Sequence, residues 1–273
     1  MTEAAEVPSQ DLLARYEFAI EAARQAGQLT LQYFQSGVGV DFKSDNTPVT
    51  VADREAELLV RKLVEQRFPN DTILGEEFPE RKGDSAFRWI VDPIDGTKSF
   101  VCGVPLYTTL IGVECNGQAA VGVIEIPALE ETVHAAKGHG AWLIRKGEKS
   151  AARVAKYDSM SDGLFTTSER ATFDDRGAGD IYLQIESIAR TARTWGDAYG
   201  YSLVATGRAA AMIDPIMSVW DAAAIQPILE EAGGVFTDWQ GNPTIHGREG
   251  IGTTPELLTE ILKITKTATP LPS

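Results

Sequence analysis

The chain has 273 residues, of which 43% are hydrophobic and 23% are charged, and its formal net charge is −14. This composition is typical of a folded globular protein and excludes a chain that stays disordered. Because 39 acidic residues outnumber 25 basic ones, the protein would repel nucleic-acid phosphates, and we expect no nucleic-acid partner. A phosphate ester would meet the same repulsion unless bound cations reversed the field locally.

The sequence indicates neither a membrane partner nor export. No run approaches the roughly 18 apolar residues that span a bilayer. Residues 1–10 lack the basic-then-apolar order of a signal peptide. We therefore expect a cytoplasmic protein. The two cysteines, Cys102 and Cys115, and three scattered histidines do not have the spacing of a zinc site, so structural zinc is not expected.

The first half of the chain is predicted to combine two helices with a sheet. Apolar residues at steps of three and four predict an amphipathic helix over residues 12–34. Thr50 and Asp53 form the pattern of a capping box, so a second helix should begin near Thr50 and end before Pro69. Apolar and β-branched runs then predict strands at residues 87–91, 108–114, 119–126, 132–136 and 141–144.

A polar stretch at residues 146–162 is interpreted as a junction between two halves. Beyond it, the patterns predict strands at 163–167, 211–213 and 235–237 and helices at 197–206, 221–232 and 255–263. Gly207 and the pair Gly233 and Gly234 should end the first two of these helices. The alternation predicts a layered α+β or α/β body. We assign residues 1–150 to an N-terminal α+β half and residues 151–273 to a C-terminal α/β half.

An acidic turn, D-P-I-D-G-T at residues 92–97, follows the strand predicted at 87–91. Pro93 and Gly96 restrict the path of the turn, so that the carboxylates of Asp92 and Asp95 can converge. Mg²⁺ prefers such oxygen ligands, and a helix after Gly96 would point free N–H groups at a phosphate. The turn therefore predicts a joint site for metal and phosphate. Taken alone, the two aspartates could equally be turn and cap residues.

Three further acids in separate predicted elements could join this turn. Glu76 precedes the strand at 87–91, Asp53 lies in the first turn of the second helix, and Asp221 begins a later helix. Singly, each has a structural interpretation, as a loop acid, a capping-box partner and an N-cap. It is their combination that favours a shared metal site, which would carry most of its ligands in the N-terminal half.

The order of these motifs resembles the inositol monophosphatase superfamily. The matching segments are G-E-E at 75–77, D-P-I-D-G-T with the nearby Phe100, W-D-A-A-A at 220–224 and E-A-G-G at 231–234. Lys43 and T-V-A-D at 50–53 extend the match towards the N-terminus. The resemblance implies an inositol monophosphatase-like αβαβα sandwich, hydrolysis of a small phosphate monoester, two or three Mg²⁺ ions per site and a homodimer.

The resemblance also implies roles for individual residues. The metal ligands would be Glu76, Asp92, the carbonyl of Ile94, Asp95 and Asp221. The catalytic residues would be Asp53, Thr97 and Glu76, with Asp53 and Thr97 orienting the attacking water. The substrate-binding residues, several of them shared with the metal site, would be Asp95, Gly96, Thr97, Arg193, Gly196, Asp197 and Asp221. Paired cations in such a site can activate water and neutralise a departing alkoxide.

The stretch R-T-W-G-D-A-Y-G-Y at 193–201 and D-P-I-M at 214–217 resemble the histidinol-phosphatase branch of the superfamily. We therefore expect hydrolysis of L-histidinol phosphate, a step of histidine biosynthesis. Asp197 would favour the ammonium and imidazole groups of this substrate, although it could equally be the N-cap of the predicted helix. Arg193 could bind a substrate oxygen or pair with a neighbouring carboxylate.

Other functions stay open from the sequence. An inositol monophosphatase or broad sugar-phosphate phosphatase is the main alternative, and a nucleotide 3′-phosphatase is a weaker one. From a different class, the chain could be a non-catalytic relative that senses a ligand. Such relatives usually lose metal ligands, whereas every acidic anchor is present here, so an enzyme is favoured.

Overall fold

The computed structural model describes residues 9–43 and 48–271. The first part of the chain contains α1 (Ser9–Tyr33), β1 (Val40–Phe42), β2 (Pro48–Thr50), α2 (Val51–Arg67), β3 (Thr72–Gly75), β4 (Phe87–Asp95), α3 (Thr97–Val101), β5 (Thr108–Cys115), β6 (Gln118–Ile126), β7 (Glu131–Ala136), β8 (Ala141–Arg145) and β9 (Glu148–Ala151). The second part contains β10 (Leu164–Thr166), α4 (Arg170–Asp175), α5 (Gly179–Ile188), β11 (Thr191–Arg193), α6 (Asp197–Ala205), β12 (Ala211–Asp214), α7 (Val219–Ala222), α8 (Ile225–Glu231), β13 (Val235–Thr237), β14 (Gly250–Thr253) and α9 (Pro255–Thr265).

These elements form five layers, which confirms the predicted αβαβα sandwich. Helices α1 and α2 pack on the outer face of a seven-stranded sheet, in which β3 to β9 lie in sequence order. Helices α6 and α8 lie between this sheet and a five-stranded sheet of order β11-β10-β12-β14-β13. Helices α4, α5 and α9 pack on the far face of the second sheet. No helix within the described ranges is long and apolar enough to cross a membrane.

Strand β6 shows how the first sheet separates two hydrophobic cores. Val121 and Val123 face the core that includes α1, whereas Ile124 and Ile126 face the core that includes α8. Successive side chains of a strand point to opposite faces, so a strand that is buried on both faces has a continuous apolar sequence. This explains why the apolar run at 119–126 predicts the strand correctly.

The structure corrects two of the predicted elements. The stretch at 146–162 is not wholly a junction, because its first residues form β9 and extend the first sheet. Lys146 and Gly147 make the turn from β8 with φ values of 50° and 83°, the geometry of a tight hairpin turn. The helix predicted at 221–232 is in fact two helices, α7 and α8, and begins at Val219. The boundary at residue 150 stays a prediction.

Candidate active site

Three aspartates from distant parts of the chain meet at the end of β4. Asp92 and Asp95 lie on the last residues of β4, and Asp221 lies on α7. One carboxylate oxygen from each lies within 4.8 Å of the other two. Asp221 is not an N-cap, because Ser218 caps α7 and donates its backbone N–H to Asp221 Oδ2 at 2.7 Å. The structure therefore brings together the group that the sequence predicts.

Hydrogen bonds from near and distant parts of the chain orient the acids of the turn. Asp95 Oδ2 accepts from the hydroxyl of Thr108 at 2.9 Å and from the backbone N–H of Ala198 at 2.6 Å. Asp92 Oδ1 accepts from the N–H of Ile94 at 3.1 Å, and the carbonyl of Ile94 accepts from the hydroxyl of Thr97 at 3.0 Å. These bonds fix the turn without engaging every carboxylate oxygen, so oxygens remain to bind a cation.

The electrostatics of this group fit a bound cation. Burial raises the pKa of Asp92 and Asp95, and it raises the pKa of Asp221 to about 7. Among residues 9–43 and 48–271, no ion pair includes any of the three. Buried acids without a counter-charge are unfavourable. An oxygen-only donor set of this size suits a hard divalent cation such as Mg²⁺.

Glu76 lies on the turn after β3 and lines the same cavity as the aspartates. Its Oε1 accepts from the ammonium group of Lys43 at 2.6 Å, and the same ammonium group donates to Glu77 Oε1 at 2.6 Å. Glu76 is outside the tight group of three carboxylates, although its charge helps to raise the pKa of Asp92, after burial. Lys43 therefore provides Glu76 with the counter-charge that the three aspartates lack.

Helix α2 holds the turn that carries Glu76 in place through hydrogen bonds. The buried carboxylate of Glu57 accepts from the backbone N–H of Glu77 and from Arg61 Nε, both at 2.7 Å. Arg61 also donates to the carbonyl of Phe78 at 2.8 Å. A Cβ at Gly75 would lie 2.0 Å from Glu57 Oε1. The glycine of the G-E-E motif thus leaves room for Glu57, which holds the turn in place.

Asp53 lies one helical turn before Glu57 on the same helix. As predicted, Thr50 caps α2, and Asp53 Oδ2 accepts from the N–H of Thr50 at 2.8 Å and from its hydroxyl at 2.6 Å. Burial raises the pKa of Asp53, and the nearby charge of Glu76 adds to the effect, whereas the bonds from Thr50 oppose it. The capping box therefore delivers a buried acid next to Glu76.

A cavity of about 580 Å³ opens beside the acids. Nine of the residues that the sequence predicts for the site line it: Glu76, Asp92, Ile94, Asp95, Gly96, Thr97, Gly196, Asp197 and Asp221. Asp53 is buried and is not part of this lining. Arg193 is also outside the lining, on the edge strand β11, where its Nη1 donates to Thr191 Oγ1 and to the carbonyl of Ala192. The substrate-binding role of Arg193 therefore gains no geometric support.

Asp197 stands next to the acidic turn. It is the first residue of α6, and Gly196 is the N-cap, so the interpretation of Asp197 as the cap is wrong. A Cβ at Gly96 would lie 2.7 Å from Asp197 Oδ2, and Gly96 has a φ of 82°, a left-handed conformation that favours glycine. After burial, the charge of Asp197 is the largest cause of the raised pKa of Asp95. Asp197 thus adds a further acid to the wall of the cavity.

Sequence reasoning missed several residues of the cavity. Asp214, at the end of β12, is buried, and its Oδ1 accepts from the hydroxyl of Thr167 at 3.1 Å and the N–H of Ser168 at 2.9 Å. Burial raises the pKa of Asp214 to about 6. At the mouth, Lys98 on α3 pairs with Glu169. The sequence signals for Asp214 were its place in the D-P-I-M motif, which was given no role in the site, and its place directly after a predicted strand, which is also the place of Asp92.

Comparisons with known proteins agree with this architecture. The profile of the inositol monophosphatase family matches residues 11–269. Histidinol-phosphatase of Chlorobaculum parvum is 44% identical over 236 residues, which cover 86% of this chain and 90% of the relative. Histidinol-phosphatase of Mycobacterium tuberculosis is 36% identical over 89% of this chain and 95% of the relative. The crystal structure of the extragenic suppressor protein suhB of Bartonella henselae has a TM-score of 0.85 at 27% identity, covering 94% of this chain and all of that one. The chain belongs to the inositol monophosphatase family.

Proposed function

We propose that this protein is a Mg²⁺-dependent phosphatase that hydrolyses L-histidinol phosphate to L-histidinol and phosphate. The observation that carries the proposal is the group formed by Asp92, Asp95 and Asp221, which opens into a cavity with Asp197 and Asp214 in its lining. The named histidinol-phosphatases, at 36% and 44% identity over most of the chain, favour this substrate over inositol and sugar phosphates.

The metal site in this proposal holds two or three Mg²⁺ ions. Its ligands are the carboxylates of Glu76, Asp92, Asp95 and Asp221 and the carbonyl of Ile94, all of which line the cavity. When bound, the ions activate water and neutralise charge on the phosphoryl oxygens and the leaving alkoxide. The ammonium group of Lys43 donates to Oε1 of Glu76, which leaves Oε2 as the oxygen of this carboxylate for a cation.

Asp53 and Thr97 orient the attacking water in this proposal, with Glu76 beside them. The hydroxyl of Thr97 donates to the carbonyl of Ile94 at 3.0 Å, and Thr97 lines the cavity. Burial raises the pKa of Asp53, and an acid with a raised pKa accepts a proton more readily near neutral pH. Asp53, which Thr50 holds in place, and Thr97 would orient the water for attack.

The substrate lies along the cavity with its phosphate at the acidic turn. Gly96 and Gly196 both line the cavity, and their lack of a side chain lets Asp197 approach Gly96 and the backbone of Ser168 approach Gly196. The ammonium and imidazole groups of histidinol face Asp197 and Asp214, since charge-assisted hydrogen bonds to carboxylates favour such cations. A homodimer, on the family resemblance, and a cytoplasmic location, as expected from the sequence pattern, belong to the same proposal.

A phosphate-release screen tests the proposal. The purified protein with Mg²⁺ is given histidinol phosphate, inositol monophosphate, sugar phosphates and 3′-phosphonucleotides, and we expect histidinol phosphate to be hydrolysed with the highest kcat/KM. Release of phosphate from inositol monophosphate, with histidinol phosphate left intact, would overturn the assignment of the substrate. Full activity after exhaustive chelation would overturn the metal dependence.

A further inference from the structure

A second cavity, of about 410 Å³, lies beside α1 and shares no lining residue with the active-site cavity. Arg24 and Gln28 of α1 line one side of it. Glu125 of β6 and Thr132 of β7 line another part. The charged lining also includes Glu130, Lys146 at the turn after β8, and Lys149 of β9. The cavity is therefore a separate polar feature of the first sheet and its outer helix.

The unusual group in this cavity is the carboxylate of Glu125. The residue is only 5% exposed, and within the described ranges its one hydrogen bond comes from the hydroxyl of Thr132, at 2.6 Å. It forms no ion pair with any described residue. Its side chain points towards α1, because a Cβ at Gly27 would lie 2.9 Å from Glu125 Cγ. A buried carboxylate with a single neutral partner still needs a donor, preferably a cationic one.

The cations around the cavity form no direct ion pair among the described residues, although the charge of Arg24 opposes the effect of burial on the pKa of Glu125. Arg24, Lys146 and Lys149 are exposed, and none of them lies within ion-pair distance of a carboxylate in the described part of the chain. The ammonium group of Lys149 lies over the ring of Trp142, at 4.3 Å. With Glu125 and Glu130 in the same lining, the cavity presents charges of both signs to a ligand.

We propose that this cavity binds a free α-amino acid as its zwitterion, with the ammonium group on Glu125 and the carboxylate on Arg24, Lys146 and Lys149. A simple anion would meet the charge of Glu125, and a simple cation would meet the three basic groups. A zwitterion satisfies both sets through charge-assisted hydrogen bonds. The volume lies within the range of about 300–1,000 Å³ that is usual for small-molecule sites.

Isothermal titration calorimetry on the full chain tests this site. Each common L-amino acid is titrated, and we expect at least one to bind with a Kd of about 1 mM or tighter. Its methyl ester, which lacks the negative charge, and its N-acetyl derivative, which lacks the positive charge, should each bind at least about tenfold more weakly, as expected when one charged hydrogen bond is lost. Equal binding of either derivative would overturn the zwitterion assignment.

Variants then locate the binding. Glu125→Gln and Arg24→Gln should each weaken the amino acid at least about tenfold, with unchanged phosphatase activity, and the exposed Glu256→Gln serves as the matched control. Arg24 is exposed, so its variant remains informative if Glu125→Gln does not fold. Absence of binding by every amino acid, or undiminished binding in both cavity variants, would overturn the proposal. Loss of binding in Asp197→Asn alone would also overturn it, because the ligand would then occupy the active site.

Discussion

The backbone N–H of Ala198 donates a hydrogen bond of 2.6 Å to Asp95 Oδ2 across 103 positions of the chain. Asp95 ends a strand of the first sheet, whereas Ala198 lies in the first turn of α6, in the helical layer between the sheets. The same bond places Asp197 beside the acidic turn. The proposed metal end and substrate end of the cavity thus share one hydrogen bond.

Replacing Asp95 with Asn should abolish most of the catalysis. The amide keeps an acceptor for Ala198 and Thr108 but loses the charge that binds a cation, so we expect kcat/KM to fall at least about 100-fold. Steady-state phosphate release measures the loss. The metal-free variant should melt at a higher temperature than the original protein, because one buried charge is gone. The exposed Asp175→Asn is the control, and an unchanged rate in Asp95→Asn would favour a non-catalytic ligand sensor.

Replacing Asp197 with Asn should impair the hydrolysis of a substrate with a positively charged alcohol more than that of a substrate without one. The variant loses a charge-assisted bond to the histidinol ammonium group, so KM for histidinol phosphate should rise about 10- to 100-fold. Hydrolysis of p-nitrophenyl phosphate, whose leaving group has no positive charge, should change much less. Steady-state kinetics with both substrates measure the difference. An equal loss of activity with both substrates would mean that Asp197 acts at the metal end of the cavity instead.

Replacing Glu57 with Gln should weaken Mg²⁺ binding without direct contact to the metal. The amide cannot accept from both Arg61 and the N–H of Glu77, so the Glu76 turn loses one support. We expect the Mg²⁺ concentration for half-maximal activity to rise about 10- to 100-fold, as for other residues that hold ligands in place. The rise in melting temperature on adding Mg²⁺ should shift to higher concentrations in parallel.

The matched control for this variant is Glu55→Gln, on the exposed face of the same helix. It should leave the Mg²⁺ response unchanged. A Glu57→Gln protein that is merely less stable, with its Mg²⁺ dependence intact, would reduce Glu57 to a structural role.

The metal-free protein should lose stability as the pH rises. Burial raises the pKa of Asp221 to about 7, so the folded state holds a proton that the unfolded chain has already released. This group therefore contributes stability below its unfolded pKa, near 4, and the contribution is lost as the pH rises to about 7. At about 1.4 kcal/mol per pKa unit, the effect is at most roughly 4 kcal/mol.

Urea unfolding in EDTA between these pH values measures this term as the difference between the original protein and Asp221→Asn. Saturating Mg²⁺ should remove the dependence, because a bound cation replaces the proton. Equal pH profiles of stability for the two proteins without metal would contradict the raised pKa of Asp221.

A second titration should act in the opposite direction. Burial lowers the pKa of His134 from 6.5 to about 4, and its Nδ1 lies 2.6 Å from the hydroxyl of Tyr16. The unfolded chain takes up a proton below pH 6.5, so this stability is lost as the pH falls towards 4. Compared with His134→Gln, the original protein should lose about 2 kcal/mol more between pH 6.5 and pH 5. Identical losses of stability by the two proteins in urea unfolding over this pH range would contradict the lowered pKa of His134.

Local signals explain which parts of the fold the sequence predicts. The capping box of Thr50 and Asp53 is confirmed because its bonds join residues three positions apart. The strand predicted at 87–91 is also correct, but β4 continues to Asp95 through Pro93. Proline usually ends the ladder, and here it lies where the register with β5 is irregular, between Asp92 and Asp95. Strand β9 was missed because all four of its residues are exposed and three are polar.

The residues of the site also divide into those that the sequence predicts and those that it does not. The order of the acids and their resemblance to a family predict that Asp92, Asp95 and Asp221 belong together. Their supports could not be predicted, because the contact of Lys43 with Glu76 and the place of Glu57 under the glycine of the G-E-E motif depend on tertiary packing. No spacing in the sequence indicates which side chains of neighbouring elements will meet.

The distance along the chain between Asp95 and Asp221 has a consequence for synthesis. During translation, Asp92 and Asp95 leave the ribosome well before Ala198 and Asp221. A nascent chain therefore exposes two of the three aspartates with neither the third nor the N–H that orients Asp95. Because metal binding and folding are coupled when the ligands come from separate elements, a cation that needs all three aspartates would bind only after α7 has joined the end of β4.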